Sequence, residues 1–416
     1  MVSWSWHDHI VRNGEGTATT SAELRAHNLV RLLRAVHDGA GRQTRAELTR
    51  QLGLARGTAT VLVRELAMQR LIEELPADGL PRLGEFTQRA RGRPTGVPSA
   101  HEHGPVVLAV DLRDDSFTTA AFELTGRCQV LERCEREMLD GTEVLSRLAI
   151  ALAKHRRKFG RRVVGTGVAV PSPVRAGKMV QPTLTEWGDV DVAAVLVPKD
   201  QDSVRIGNDA TLAGLAEARR GVLQGVQVAL HLHVATGIGG VLLAGGQPLS
   251  GAHGSAGEFG HMPLAGDDEP CRCGATGCWE LEAGARGLLR DAELPQSGDR
   301  MENAAHVIAT ADTREVSGRA LAHAAASLGR GIGALVNAHD PEAVGLSGLA
   351  ASMFDAAPGA VREAYLSALM NFRRQRPPAL LPSRLGELGA LTGAAELVFD
   401  AFLTPRGLAA WAEKTR

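Results

Sequence analysis

Cysteine is scarce in this sequence, five in 416 residues, and so few in so long a chain, odd in number, do not make a disulfide framework. Net charge is nearly absent as well: 46 Lys and Arg against 47 Asp and Glu leave −1, which by itself points to no partner. The opening residues Met-Val-Ser-Trp-Ser-Trp lack the basic start and apolar run of a secretory leader. A membrane span is missing too. The charge-free stretch from Val226 to Gly246 is interrupted by Gln227, His231, His233 and several glycines, and Leu230, Leu232 and Val234 alternate with Ala229, His231 and His233 at the period of a strand. With 44% apolar and 22% charged residues, wholly disordered and collagen-like chains are excluded. A soluble cytoplasmic protein of two or three compact units is expected.

Lysine is missing altogether from residues 1–99, yet that segment holds 14 arginines against 10 acids, whereas the remainder holds 32 basic and 37 acidic residues. A basic front on an acidic body is the asymmetry of a nucleic-acid-binding head joined to a sensor or an enzyme. Within the front, Thr20 with Glu23 and Thr44 with Glu47 are spaced as capping boxes and predict helix starts. A third helix is predicted from about Arg56 to Gln69, with Ala59, Leu62, Val63 and Leu66 as its buried stripe, and Gly53 makes the turn before it. This is the helix-turn-helix pattern. Leu71 to Leu75 reads as the first strand of a wing turning at Pro76 to Pro81.

The outer face of the third helix carries Arg56, Gly57, Thr58, Thr60, Val61 and Arg64, small residues and arginines that suit a major groove. Arg91 and Arg93, in Arg-Gly-Arg-Pro just after the predicted wing, suit a narrow minor groove. A small protein-binding module and a solvated linker are the bland alternatives, open at this point. Ala55 stands where a Ser or Thr cap is expected.

From Pro105 onward strands alternate with helices: Val106 to Val110 ending in Asp111, Phe117 to Leu124, a helix from Glu143 to Lys158, Val163 to Val170, and Val204 to Gly207 delivering Asn208-Asp209 to a helix over Ala210 to Arg220. Polar groups at strand ends beside helix starts are where such sheets bind ligands. The densest pattern follows. His261 closes a Glu-Phe-Gly-His motif from Glu258, and Cys271, Cys273 and Cys278 form a C-x-C-x4-C loop. Three thiolates and an imidazole make a closed tetrahedral zinc site, structural because no position is left for a reacting water. Cys128 and Cys134 have no partner at ligand spacing.

These residues resemble the ROK family, which joins bacterial sugar kinases to sugar-responsive repressors. The likeness rests on the loop from Val170 to Val174, Pro182-Thr183-Leu184 with Trp187, Asn208-Asp209-Ala210, Thr236-Gly237-Ile238-Gly239, the Glu258 to His261 motif with the zinc loop, Leu328 to Gly331, and Asp340-Pro341-Glu342. It implies a winged helix-turn-helix followed by a two-lobed α/β body of the actin-like ATPase and sugar kinase type. The implied units are a flexible N-terminus over residues 1–22, the winged helix over 23–88, an Arg/Gly/Pro linker over 89–104 and the sugar-binding body over 105–416. Lobe 1 of that body is about 105–224 plus the C-terminal helix, and lobe 2, with the zinc loop, about 225–390. Sugar contacts are implied at Asn208, Asp209, Glu258, His261 and Glu280, with Thr183 and Ser172 lining the cleft, and Asp209 matches the base of the kinases.

A kinase of this family carries Asp-x-Gly-Gly-Thr where this chain has Asp111-Leu112-Arg113-Asp114-Asp115. Bare amides that would cradle phosphate are replaced by side chains, and two like charges about 4 Å apart repel by about 4 kcal/mol at intermediate dielectric. Ala235, Val241 and Ser347 depart from the remaining nucleotide motifs. The expectation is therefore a sensor with Asp209 as a vestigial base: a DNA-binding regulator, a repressor, acting as a homodimer or tetramer on a palindromic double-stranded operator and answering to a sugar. An active sugar kinase with an appended head is the alternative.

Overall fold

The computed structural model describes residues 20–76, 96–113, 116–134, 141–175, 177–179, 192–196, 203–266, 268–297 and 299–415. The chain divides into two compact units, residues 1–104 with 401–416, and residues 105–400.

In the first unit both capping boxes form. The Glu23 amide donates to Thr20 Oγ1 at 3.2 Å while Glu23 accepts from the Thr20 amide at 2.9 Å, opening α1 (Ser21–Asp38). Thr44 and Glu47 repeat the exchange at 3.2 and 2.7 Å for α2 (Arg45–Gln51). Gly53, at φ +64°, makes the left-handed turn that a side chain would strain. Beyond it α3 (Arg56–Met68) starts without a side-chain cap at Ala55 and buries Ala59, Leu62, Val63 and Leu66. Then β1 (Ile72–Leu75) pairs antiparallel with β2 (Val97–Ala100), Ile72 opposite Ala100 and Leu75 opposite Val97. The second wing strand thus lies inside the segment predicted as linker. Arg91-Gly92-Arg93-Pro94 consequently belongs to the connection between the two wing strands rather than following the wing; Arg91 and Arg93 themselves lie outside the described residues.

The second unit holds, among the described residues, two five-stranded sheets of one topology. The first contains β3 (Val106–Leu112), β4 (Phe117–Glu123), β5 (Cys128–Cys134), β6 (Val163–Val170) and β7 (Val204–Asn208), in the order β5-β4-β3-β6-β7, antiparallel as far as β3 and parallel beyond. Its centre is β3, buried along its whole length, with α4 (Gly141–Phe159) laying Val144, Leu148 and Leu152 on Val106, Leu108 and Val110. Helix α5 (Asp209–Arg220) follows β7.

The second sheet repeats the scheme with β8 (Val228–Val234), β9 (Ile238–Ala244), β10 (Gln247–Pro248), β11 (Ala343–Gly348) and β12 (Ala379–Pro382), in the order β10-β9-β8-β11-β12. The charge-free stretch is the β8–β9 hairpin, turned where the Ala235 amide meets the Gly237 carbonyl at 2.9 Å. A long helix, α6 (Glu315–His339), shares the apolar core of this sheet, its Leu328 and Ile332 clustering with Leu230 and Leu232. Gly331 leaves room for the buried Trp279 ring beside it, and Trp279 Nε1 donates to the Ser327 carbonyl at 3.1 Å.

Helix α5 packs on the second sheet, where the missing side chain of Gly214 admits Val241. It is also locked to α7 (Gly389–Phe402). Gly393 lies against the Leu212 backbone, Arg220 pairs with Glu396 at 2.7 Å, and Arg219 pairs with Asp400 at 3.3 Å. Gly165 and Gly167 of β6 accept Val398 and Ala394 of α7 at close range. The C-terminal segment, predicted as one helix on the first lobe, is therefore two. α7 stays with the sheets, whereas α8 (Pro405–Thr415) belongs to the first unit and packs on α1, with Trp411 2% exposed, its Nε1 donating to the Gln69 carbonyl at 2.8 Å and its ring edge-on to Phe402. Among the described residues no helix is long and apolar enough to cross a membrane.

Candidate functional site

Strand β7 ends at Asn208, whose carboxamide caps α5 by accepting from the Thr211 amide at 3.0 Å and donates through Nδ2 to the Ser172 carbonyl at 3.4 Å. Ser172 is buried, and its hydroxyl donates to the Pro173 carbonyl at 3.4 Å, so its backbone rather than its side chain supports Asn208. Thr183 and Trp187 lie outside the described residues.

Asp209 follows at the first position of α5 and accepts from the Ala210 amide at 2.7 Å. A helix start normally favours an ionised carboxylate. Here burial, and then the charge of Asp111, outweigh that amide and the Arg113 guanidinium and push Asp209 up to about 7. Glu258 is also raised, by burial and by Glu280, with His261 opposing.

Close glycine contacts lay the Glu258 to His261 turn on the start of β9. A Cβ on Gly257 would strike the Gly240 carbonyl, one on Gly260 the Ile238 carbonyl, and one on Gly237 the Glu280 carboxylate. The imidazole of His261 therefore stands between two carboxylates, Nε2 3.8 Å from Glu258 and Nδ1 3.7 Å from Glu280. On its Nδ1 side lies Cys271 Sγ at 3.6 Å, and Cys273 and Cys278 are 3.6 Å apart. The four potential ligand atoms of His261, Cys271, Cys273 and Cys278 lie within 4.8 Å of one another.

Metal–sulfur bonds of about 2.3 Å and metal–nitrogen bonds of about 2.0 Å in a tetrahedron have edges of about 3.6–3.8 Å, so this cluster could hold a metal ion with little movement. Burial pushes the Cys271 and Cys278 thiols up, and Glu280 Oε1 stands 3.1 Å from Cys271 Sγ; only a cation would let these thiols ionise there. The loop is tied down from outside by Arg286 and Arg290 on Glu269, at 2.6 and 2.8 Å.

At the end of β3 the structure adds residues whose role the sequence did not disclose. Arg113 Nη2 pairs with the buried Asp111 at 3.1 Å and also feels the charges of Asp209 and Glu387. Asp114 and Asp115 lie outside the described residues. His233, near the end of β8, meets Ser347 Oγ at 2.8 Å through Nδ1, and burial and Arg113 hold it down to about 4. Ser347 is itself buried, with its hydroxyl also near the Leu232 carbonyl at 3.4 Å. Sequence offered one hint of His233: it sits two residues before the Ala235-Thr236-Gly237 turn.

A model of the ROK family matches residues 107–401, nearly the whole two-sheet unit. The chain belongs to the ROK family. Among ROK proteins, it is 24% identical over 369 residues to the xylose repressor of Bacillus subtilis, covering 86% of this chain and 92% of that one. It is 32% identical over 262 residues to the kanosamine kinase of Amycolatopsis mediterranei, covering 61% and 82% respectively. A solved ROK family transcriptional regulator, a homologue of the E. coli MLC protein, superposes with a TM-score of 0.71 over 94% of this chain and 99% of that chain at 21% identity. The architecture is that of these proteins: a winged helix-turn-helix ahead of an actin-like, two-lobed sugar kinase body.

On the first unit, Arg56, Thr58, Thr60 and Arg64 are all exposed, outside the buried stripe of α3, and Arg56 and Arg64 have no charged partner among the described residues.

Proposed function

We propose that this ROK protein is a sequence-specific DNA-binding transcriptional regulator, a repressor, whose effector is a sugar or sugar derivative. The effector is held by Asn208, Asp209, Glu258, His261 and Glu280, with Thr183 and the Ser172 loop at the edge of the cleft. The amide, carboxylates and imidazole that converge there suit vicinal hydroxyls. His261, Cys271, Cys273 and Cys278 hold one structural zinc, which sets the tautomer of His261 so that Nε2 faces the ligand. The head binds a palindromic operator as part of a homo-oligomer, through Arg56, Thr58, Thr60 and Arg64 of α3 and through Arg91 and Arg93.

The observation that carries this reading is the Arg113–Asp111 ion pair at 3.1 Å. In a kinase of this fold that strand end offers bare amides to the nucleotide phosphates. Here a side chain fills it and engages the acidic group. The xylose repressor relative supports a regulator, and makes xylose the first sugar to try. Binding of the full chain to its own upstream DNA, measured by gel shift across a panel of pentoses and hexoses, is the test. Sequence-selective binding relieved by one sugar is expected; no sequence preference at physiological salt overturns the reading.

One observation favours a second reading. An Asp209 carboxylate near 7 is suited to general-base work at neutral pH, and the kanosamine kinase relative shares the body. ATP-dependent phosphorylation of a sugar, lost in Asp209→Asn, would establish an active kinase with an appended head.

A further inference from the structure

The outer face of α3 carries an exposed apolar centre flanked by Arg56 and Arg64, which have no charged partner among the described residues. Gly57, Val61, Arg64 and Met68 follow one line along the helix, opposite the buried Ala59, Leu62, Val63 and Leu66. Val61 is 53% exposed. Nothing lies within 4 Å of where a side chain on Gly57 would begin, so the backbone there is open to close approach. Beside Val61, Thr60 donates its hydroxyl back to the Arg56 carbonyl at 2.9 Å, which leaves its methyl as the group offered to a ligand. The one acid of α3, Glu65, is taken up by Arg25, whose Nε and Nη2 reach it at 2.9 and 2.6 Å. What remains on this face is methyl groups, bare backbone and the positive charge of Arg56 and Arg64.

A phosphate backbone alone would be met by cations and would give no use for Val61. A base edge is different: in the major groove thymine presents a 5-methyl group, and guanine presents two acceptors that match a guanidinium. We infer that Val61, with the methyl of Thr60, reads a thymine methyl group, and that Arg64 takes a neighbouring guanine. Three residues of helix rise by about 4.5 Å, against about 3.4 Å per base pair, so the thymine and the guanine lie one to two base pairs apart in each half-site. This assignment rests on the DNA-binding reading above and adds to it the residue that sets sequence choice.

The test uses the full chain and a half-site selected from random duplex DNA, with each dT replaced singly by dU, which removes only the methyl group. Burial of one methyl is worth about fourfold in affinity, and that loss is expected at a thymine within two base pairs of a guanine. Val61→Ala should bind the dT and dU duplexes equally, while its thermal unfolding stays close to that of the parent because Val61 is exposed and outside the buried stripe of α3. Selective binding that tolerates dU at every position, or a Val61→Ala protein that still discriminates, overturns the assignment and leaves the DNA-binding reading standing. Absence of any selected sequence is a different outcome and removes both.

Discussion

Asp209 is the residue on which the cleft's electrostatics converge: a carboxyl at a helix start, beside a second acid, under a guanidinium. Its native pKa near 7 lies above that of the unfolded chain, so the native state holds the extra proton. The resulting stabilisation is complete at low pH, falls as pH rises from about 4 to about 7, and is absent above that. Asp209→Asn removes this titration. Relative to the parent, the variant should become more stable between pH 5 and pH 8 by on the order of 1–3 kcal/mol, read by denaturant unfolding at the two pH values. A difference that does not change with pH would mean that Asp209 titrates as an ordinary carboxylate. His231 runs the other way. It is fully buried, and burial and the neighbouring His233 hold it down to about 3 against the Ala210 backbone, so it opposes folding as pH drops below about 6.5.

At the scale of elements, the cysteine loop and the helix caps were legible because their chemistry is local. Cys271, Cys273 and Cys278 are candidate ligands by spacing alone, the structure brings them together with His261, and Thr20 with Glu23 close a box four residues long. β2 was hidden because it is four residues long and its partner β1 is reached across a proline- and glycine-rich connection; its identity as a strand exists only in the pairing. The ion pair of Arg113 escaped for a related reason: sequence shows that glycines are missing, whereas only packing shows where the arginine turns. The loop yields a direct prediction. Purified protein should carry close to one zinc per chain by elemental analysis, and Cys273→Ser should lose the metal and lower the melting temperature, whereas Cys128→Ser, on strand β5, should keep it. Equal zinc in both variants would sink the assignment.

Across the whole molecule, two sheets of identical strand order are joined by α5 and α7, and the chain that leaves α7 finishes the first unit with α8. α7 is buried on all sides and α8 only along Leu408 and Trp411, yet sequence does not say what α8 packs on, because the partner that claims it stands 342 positions away. Trp411→Ala should destabilise the head by about 3–5 kcal/mol, the usual cost of deleting a buried large aromatic. Limited proteolysis should then cut within residues 20–104 while zinc content and the sheets survive; unaltered head protection would mean that α8 only rests on α1.

That closing helix also sets a schedule for biosynthesis. The ribosome emits Gln69 and then the entire two-sheet unit before Trp411 appears, and at roughly 5–20 residues per second the 342 positions between them take on the order of 20–70 s. Throughout that interval the Gln69 carbonyl and the apolar seat of Trp411 on the nascent head have no cover. An interrupted translation product releases a body that has had time to fold, yet a head that lacks its last wall, so a complete first unit arises only from a chain that already carries the two-sheet body.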